Sequence, residues 1–448
     1  MLDSWLVKRI NSPPIGGSKQ VNRKEPAVRY RSTVAALAAL AAATALTACG
    51  RADDGGGQRA QPSSTVAAKA TGAITMWAMG NEGELLPAFV KKFQEANPGV
   101  TVNVTAVPWD SAYQKFQTAI ASGNVPDLAM MPGLPVFKDA FAPVPAAIDT
   151  SGMYPGAVST GTIGGQLLEV PWYVDVRALY YRTDLAKKAG WDKPPATWDE
   201  LRQMAADLQK KAGAKWGIRL PAGTTGSFLS ALWMPWSNGG ELMNADQSKW
   251  TLDTPEFASA FEYLASYFKQ RIADPNADTA PAAAVKDFMT GTTPMLVAGP
   301  FLRGAIAQAG GEAFAGKYAT AVLPAGKSST SFVGGSNLVV FKAAKNPDSA
   351  WKLVQWLSDP QTQAAWYKVS GDLPSVQSAW QDQALVADPT LAAFAEQLKT
   401  AKAPPQIVSF DKVGAAGDAA IEQVVKGGKP VADALRELQK QAEGIGVS

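Results

Sequence analysis

The most informative absence in this 448-residue sequence is histidine, which does not occur at all. Without an imidazole, the chain cannot build a Ser-His-Asp or Cys-His catalytic centre, a zinc site with imidazole ligands, or a histidine general base. Cysteine occurs only once, which excludes an internal disulfide and a cysteine-cluster metal site. We therefore expect no metal or other cofactor, and binding becomes a stronger hypothesis than catalysis.

An excess of charge of one sign is also missing. The whole chain has 42 basic and 39 acidic side chains, of which residues 1–48 hold seven and two. The remaining 400 residues therefore have 35 basic and 37 acidic side chains, a net charge of −2. A near-neutral domain has no basic field for phosphate backbones, so nucleic acid is not expected as a partner.

Long apolar runs are absent except for one, the 15-residue stretch Val34–Ala48. It is rich in alanine, follows Arg29 and Arg31, and is too short for a membrane span, which needs about 20 strongly apolar residues. These features are typical of a secretory signal. We predict that residues 1–48 are a signal peptide.

The single cysteine follows this run directly. Leu46-Thr47-Ala48-Cys49 resembles the lipobox of bacterial lipoproteins, in which cleavage precedes a cysteine that then carries a lipid. The alternative is a chance cysteine behind an ordinary signal peptide. Residues 49–72 are rich in Gly, Gln, Ser and Ala and are predicted to tether the domain flexibly to that lipid. The expected location is extracytoplasmic, on the outer face of the cytoplasmic membrane.

From residue 73 onward, strand and helix signals alternate. Ile74–Trp77 is apolar, and Leu85, Phe89 and Phe93 follow at helical spacing. Residues 100–106 then alternate apolar and polar side chains with the period of a strand. Such alternation predicts an α/β fold with a mostly parallel sheet, whose ligands bind at loops beyond the carboxyl ends of the strands.

Three stretches together form a recognisable pattern: ITMWAMGNEGELLPAFVKKFQEANPGVTVNV, VPWYVDVRALYYRTDLAKKAGWDKPPATWDEL and FVGGSNLVVFKAAKNPDSAWKLVQWLSDPQTQAAWY. On these residues the chain resembles the extracellular solute-binding proteins (family 1) of bacterial carbohydrate ABC transporters, the family that includes maltose-binding protein. The resemblance covers residues 73–448.

The resemblance implies a periplasmic-binding-protein-like fold: two α/β lobes with a hinge and an interlobe ligand cleft. By that analogy the first lobe takes residues 73–176 plus 332–375. The second lobe takes residues 177–331 plus 376–448.

The implied function is that of a lipid-anchored receptor, not an enzyme. It would deliver a di- or oligosaccharide, such as trehalose, maltose or another α-glucoside, to the permease of an ABC importer, and it is expected to be a monomer. Two alternatives stay open. One is a secreted carbohydrate-active hydrolase that uses Glu82 with Asp175, and the other is a binding protein of the same fold for a non-sugar solute.

Two carboxylates are candidates for bonds to sugar hydroxyls. Glu82 lies in the first strand-to-helix loop, where it could also serve only as an acidic residue of the first helical turn. Asp175 matches a carboxylate that contacts ligand in the maltose-binding relative, and a hinge salt bridge is its alternative role.

Aromatic side chains are candidates because an indole or phenol ring packs on the C–H face of a pyranose. Trp109, Tyr173, Trp233 and Trp236 lie on or near predicted loops and are assigned to the site. Three further tryptophans on helices are assigned to packing: Trp351, Trp356 and Trp366. Phe301 stands in Gly-Pro-Phe where the family often has Gly-Pro-Trp with a sugar-stacking indole.

The resemblance also points to the return crossing between the lobes. Gly335 and Ser336 lie in the segment that matches a glycine pair whose backbone can approach a ligand, with a flexible hinge as the other interpretation. An Arg that contacts sugar in related proteins has no counterpart at residues 375–377, which are Ser-Val-Gln.

Overall fold

The computed structural model describes residues 66–447. The predicted signal peptide, Cys49 and most of the predicted tether lie outside the described residues.

Eleven strands are found in this part of the chain. They are β1 Gly72–Met79, β2 Val100–Val107, β3 Leu128–Met131, β4 Thr162–Ile163, β5 Gln166–Leu167, β6 Val170–Val176, β7 Ala178–Arg182, β8 Met295–Ala298, β9 Tyr318–Ala321, β10 Val333–Val340 and β11 Leu373–Pro374.

The helices of the described residues include long amphipathic helices and several single turns. They are α1 Gly80–Phe89, α2 Lys91–Ala96, α3 Trp109–Ser122, α4 Pro155–Thr160, α5 Thr183–Lys188, α6 Trp198–Ala212, α7 Ser227–Ala231, α8 Trp233–Ser237, α9 Pro255–Lys269, α10 Pro281–Thr290, α11 Phe301–Gly310, α12 Glu312–Ala315, α13 Pro347–Leu357, α14 Pro360–Ser370, α15 Gln383–Val386, α16 Ala392–Leu398, α17 Phe410–Val425 and α18 Val431–Ile445. Two 3₁₀ turns lie at Pro135–Ala140 and Gln377–Gln381.

The larger sheet has the strand order β11-β6-β10-β3-β1-β2. Its β1 pairs in parallel with both β2 and β3, as expected of strands joined by crossover helices. The returning strand β10 is antiparallel to β3 and β6 and carries an irregularity between Ser336 and Asn337. The carboxyl end of β1 leads directly into α1, which brings Glu82 to the edge of the sheet.

The smaller sheet has the strand order β8-β7-β9, with β7 antiparallel to both neighbours. Only Arg177 separates β6 of the larger sheet from β7 of the smaller one. The chain thus passes from the larger sheet to the smaller one at Arg177. The lobe boundaries themselves stay a prediction.

Each sheet packs against its own apolar core. One cluster covers the larger sheet with helices such as α1, α3 and α13, and a second cluster joins the smaller sheet to α6, α9, α17 and α18. A third cluster, which includes Val176, Tyr180 and Phe394, lies where the two sheets meet. The predicted α/β architecture of two lobes with a cleft between them is confirmed.

Several helix ends follow their local sequence signals. Thr197 and Glu200 form the capping box at the start of α6, because the Thr197 hydroxyl accepts from the Glu200 N–H while the Glu200 carboxylate accepts from the Thr197 N–H. Gly213 then ends α6 in the left-handed conformation. Among the described residues, no helix is long and apolar enough to cross a membrane.

Candidate functional site

A cleft of about 680 Å³ lies between the two lobes. Its walls come from the first turns of α1 and α3, the crossing from β6 to β7, the start of α11, the end of α14 and the segment after α15. The lining residues are Asn81, Glu82, Trp109, Tyr173, Val174, Asp175, Arg177, Pro300, Phe301, Arg303, Gly304, Ala307, Ala315, Tyr318, Tyr367, Ser370, Gly371, Asp372, Leu373, Asp388 and Thr390.

Five of the nine residues predicted to bind carbohydrate line this one cleft. They are Glu82, Trp109, Tyr173, Asp175 and Phe301. These residues come from four different segments of the chain, so the fold brings them together. Their contact with a ligand stays a prediction.

Gly335 and Ser336 lie behind the cleft wall and reach it through Tyr173. The Ser336 hydroxyl donates to the Tyr173 hydroxyl at 3.1 Å, and the Tyr173 hydroxyl donates to Glu82 Oε1 at 2.9 Å. Gly335 has φ +130°, and an added Cβ would lie 2.1 Å from the Tyr173 carbonyl oxygen. Only glycine fits at this approach of β10 to β6, so Gly335 acts on the site through the backbone of Tyr173.

The structure places Trp233 and Trp236 in a helix and not on a loop, and neither is among the residues that line the cleft. Both lie in the short helix α8 and are only 2% and 3% exposed, within the core of the second lobe. Trp233 packs edge-on against Trp198, whose indole N–H donates to the Ser237 hydroxyl at 3.1 Å. The segment resembles a loop because Pro235 and nearby glycines interrupt it, but its apolar side chains are buried as part of the core.

Glu82 is the acidic residue in the first turn of α1 and lines the cleft. Burial raises its pKa above the ordinary value, while backbone and Tyr173 hydrogen bonds act in the opposite direction. Burial and the nearby Glu82 charge also raise the pKa of Tyr173, so that the Tyr173 hydroxyl keeps its proton and donates. The carboxylate is thereby fixed in place with one oxygen committed to Tyr173.

Asp372 is a cleft carboxylate that was not assigned to the site from the sequence. Burial, with repulsion from Glu82 as the next cause, raises its pKa to about 7. Its Oδ2 atom accepts from the Trp366 indole N–H at 2.9 Å. Trp366 itself is buried, as predicted for a packing residue. The resemblance pointed to a sugar-contacting Arg just after the Gly-Asp-Leu-Pro segment and gave no role to Asp372 itself.

Asp175 is both a cleft residue and the partner in a salt bridge. Its Oδ2 atom lies 2.6 Å from Arg177 Nη1, so the hinge salt bridge considered as an alternative is present. Within the described part of the chain, its buried Oδ1 atom has no hydrogen-bond partner. An added Cβ at Gly299 would lie 2.3 Å from both Asp175 Oδ1 and Arg177 Nη1. Glycine at this position leaves room for the ion pair.

The opposite wall carries a second ion pair, between Arg303 on α11 and Asp388 after α15. Arg303 Nε also donates to the Thr390 hydroxyl at 2.6 Å. Near this pair, the Phe301 ring is 52% exposed and lies 5.7 Å from the Arg177 guanidinium. Sequence reasoning missed Arg303, Asp388 and Thr390 because residues more than 80 positions apart meet here.

The donor set does not favour a metal. Within residues 66–447, no group of three or more Asp, Glu, His or Cys side chains is arranged to hold a metal ion. What the cleft offers instead is a mixture of ring faces, carboxylates and guanidinium groups, which is the chemistry that polar organic ligands with apolar faces require.

A model of the bacterial extracellular solute-binding protein family matches residues 88–393 of the chain. The chain belongs to this family. The predicted resemblance to extracellular solute-binding proteins is therefore confirmed.

Individual relatives agree with this assignment. A protein of Deinococcus radiodurans named as a probable ABC transporter-binding protein is 29% identical over 377 residues, which cover 78% of this chain and 87% of that protein. The lactose-binding protein of Rhizobium radiobacter is 26% identical over 297 residues, 62% of this chain and 68% of that protein. Among solved structures, the sugar-binding protein MalE of Xanthomonas citri matches with a TM-score of 0.77 and 28% identity, covering 84% of this chain and 97% of that one.

Proposed function

We propose that this solute-binding protein is a receptor that captures a di- or oligosaccharide, such as maltose, trehalose or another α-glucoside, for an ABC importer. The observation that carries the proposal is the composition of the cleft, to which both lobes contribute aromatic rings and polar groups. Two relatives, the lactose-binding protein and the sugar-binding protein MalE, support the same ligand class.

Sugar chemistry matches the two kinds of cleft residue. A pyranose presents C–H groups on its ring faces, which pack on Trp109 or Phe301, and hydroxyls around its edge. Those hydroxyls are donors for carboxylates such as Glu82 and Asp372 and acceptors for guanidinium groups. The cleft volume lies within the range of small-molecule sites, roughly 300 to 1,000 Å³.

The mechanism follows from the placement of these groups on two lobes. A ligand that contacts both walls binds the closed arrangement better than the open one and so shifts the population towards closure. The closed protein would then dock on the permease subunits of the importer, and the subunits that hydrolyse ATP supply the energy. The receptor itself performs no chemical step.

A titration of the purified protein followed by tryptophan fluorescence, with calorimetry as confirmation, tests the ligand class. The panel contains maltose, trehalose, longer α-glucans, lactose, monosaccharides, amino acids and peptides. Saturable binding of a saccharide that is recovered intact is expected. Release of cleavage products would favour the hydrolase alternative, and binding of an amino acid or peptide alone would favour a non-sugar solute.

The anchor forms a separate part of the proposal. We propose that Cys49 is the first mature residue and holds the receptor on the outer face of the cytoplasmic membrane through a lipid. In cells that express Cys49→Ser, the protein is expected in the soluble extracytoplasmic fraction with its sugar affinity unchanged. Retention of this variant in the membrane fraction would contradict the lipid anchor without affecting the proposed ligand.

A further inference from the structure

Arg303 is the most firmly held cation of the cleft wall formed by α11. Its guanidinium pairs with Asp388 Oδ2 and donates from Nε to Thr390 Oγ1 at 2.6 Å. The Thr390 hydroxyl donates in turn to Asp388 Oδ1 at 2.6 Å. These three side chains form a closed hydrogen-bonded ring, so the guanidinium is oriented before any ligand arrives.

The backbone around this ring is fixed as well. The Thr390 N–H donates to Asp388 Oδ1 at 2.9 Å, and the Thr390 carbonyl accepts from the Thr320 hydroxyl of β9 at 2.7 Å. The segment that carries Asp388 and Thr390 is therefore attached to the smaller sheet. A guanidinium has five N–H groups, of which these contacts among the described residues use two. The Arg303 side chain is 18% exposed and lines the cleft.

The start of α11 divides the cleft into two parts. Phe301 and Arg303 are two residues apart in α11, so their side chains point to different sides of the helix. The Phe301 face meets the Arg177 side of the cleft. The Arg303 face meets Asp388 and Thr390.

The charge of the Arg303 part is balanced. Because Asp388 pairs with Arg303, the pair offers fixed donors beside an acceptor and no net charge. Two neighbouring sugar hydroxyl oxygens can accept two parallel bonds from the planar guanidinium, and a sugar hydroxyl can donate to the Asp388 carboxylate. An anionic sugar would gain less binding free energy here, since the charge of Arg303 is already neutralised by Asp388.

Resting on the proposed function, we propose that Arg303, oriented by Asp388 and Thr390, is the specificity-determining residue for a second sugar unit. The first unit occupies the part lined by Glu82 and Asp175. The ligand is therefore a neutral saccharide of at least two units.

The test compares affinities for disaccharides and monosaccharides. Kd values are measured by calorimetry for maltose, trehalose and lactose, and for glucose and galactose, on the full chain. The variants are the double substitution Arg303→Met with Asp388→Asn, which removes the pair without leaving a lone charge, and Thr390→Val, which removes only the hydroxyl that orients Arg303. The matched control is Arg436→Met with Asp433→Asn, an exposed ion pair at 3.0 Å on α18.

We expect the double variant to weaken binding of the bound disaccharide about 10-fold or more, the loss of a hydrogen bond to a charged group. Monosaccharide affinity and the midpoint of thermal unfolding should stay at their wild-type values, and Thr390→Val should show a smaller loss of the same kind. The control pair should change neither affinity.

Three results would overturn the proposal. The first is an unchanged disaccharide affinity in both variants, and the second is an equal loss of affinity for monosaccharides and disaccharides. The third is a wild-type protein that binds monosaccharides but no disaccharide. Each of these results would leave the sugar-receptor function standing. Binding of no saccharide by the wild type would instead overturn the proposed function itself. If the double variant unfolds, Thr390→Val alone decides between these results.

Discussion

The two walls of the cleft satisfy their charges in different ways. On the first-lobe wall, Asp175 is paired with Arg177 at the crossing, but Glu82 and Asp372 form no salt bridge within the described residues, and their oxygens accept from Tyr173 and Trp366. On the second-lobe wall, Arg303 is already paired with Asp388. Glu82 and Asp372 of the first wall can therefore gain hydrogen bonds from a ligand's hydroxyls, whereas the charge of Arg303 on the second wall is already paired.

Because of this difference, we expect the two walls to contribute differently to affinity and to specificity. Burial raises the pKa of Glu82 and of Asp372, which means that the charged forms of these two carboxyl groups are poorly solvated. A ligand whose hydroxyls donate hydrogen bonds to these carboxylates replaces the missing water contacts and so binds more tightly. The paired arginine gains less per bond but is rigidly oriented, which favours selection among ligands. We therefore expect the first wall to dominate affinity and the second to govern specificity.

The largest expected effect is a loss of stability at Trp236, a residue outside both walls, and it tests whether Trp236 is excluded from the binding site. Trp236→Ala should lower the free energy of unfolding by about 3 to 5 kcal/mol, because a nearly fully buried indole is removed from the second-lobe core. The folded fraction of the variant should bind sugar with wild-type affinity. Chemical denaturation and a titration well below the unfolding transition check this pair of results. A loss of affinity without a loss of stability would place Trp236 in the second wall.

The next effect concerns the first wall directly. Glu82→Gln should weaken sugar binding by about 10- to 100-fold, equivalent to about 1.5 to 3 kcal/mol for a bond to a charged group. Glu84→Gln is the matched control, since Glu84 is an exposed residue of the same helix. Calorimetry at pH 8 measures both variants. A loss smaller than that of the Arg303 and Asp388 double variant would reverse the ranking of the walls.

The contrast between predicted and observed sites has a physical origin. Glu82 and Trp109 could be predicted from the sequence because they directly follow strand signals, and an α/β fold directs such positions to its ligand edge. Trp233 and Trp236 could not be placed, since their burial depends on contact with α6 and α9, which no local pattern reveals. Arg303 and Asp388 are 85 positions apart, so their pairing exists only in the folded chain.

The fold was more predictable than the site for the same reason. Apolar periodicity acts over a few positions, and it predicted elements such as β1, α1 and β2. Asp372 shows the limit of this approach. Its raised pKa depends on burial and on the charge of Glu82, which is distant in sequence, and the Gly-Asp-Leu-Pro segment alone indicates neither.

A pH dependence sharpens the comparison further. Asp372 has a pKa of about 7, raised first by burial and then by Glu82, so it is protonated below neutral pH and charged above it. A charged carboxylate is the better acceptor for sugar hydroxyls. Sugar affinity should therefore rise by up to about 10-fold between pH 6 and pH 8. Asp372→Asn should flatten this profile, and an unchanged profile in that variant would remove Asp372 from the first wall's contribution.

The smallest expected effect comes from the Phe301 side chain on the second wall. Phe301 is 52% exposed and packs loosely at 5.7 Å from Arg177, so Phe301→Ala should leave the free energy of unfolding within about 0.5 kcal/mol. It should weaken sugar binding by about 3- to 10-fold, because an aromatic contact contributes about 0.5 to 1.5 kcal/mol beyond its area. Phe301→Trp should strengthen binding modestly, since a larger ring covers more of a pyranose face. Measured together, these variants separate ring contact from charge. If Phe301→Ala costs more affinity than Glu82→Gln, apolar stacking on the second wall, and not the carboxylates of the first, holds the ligand.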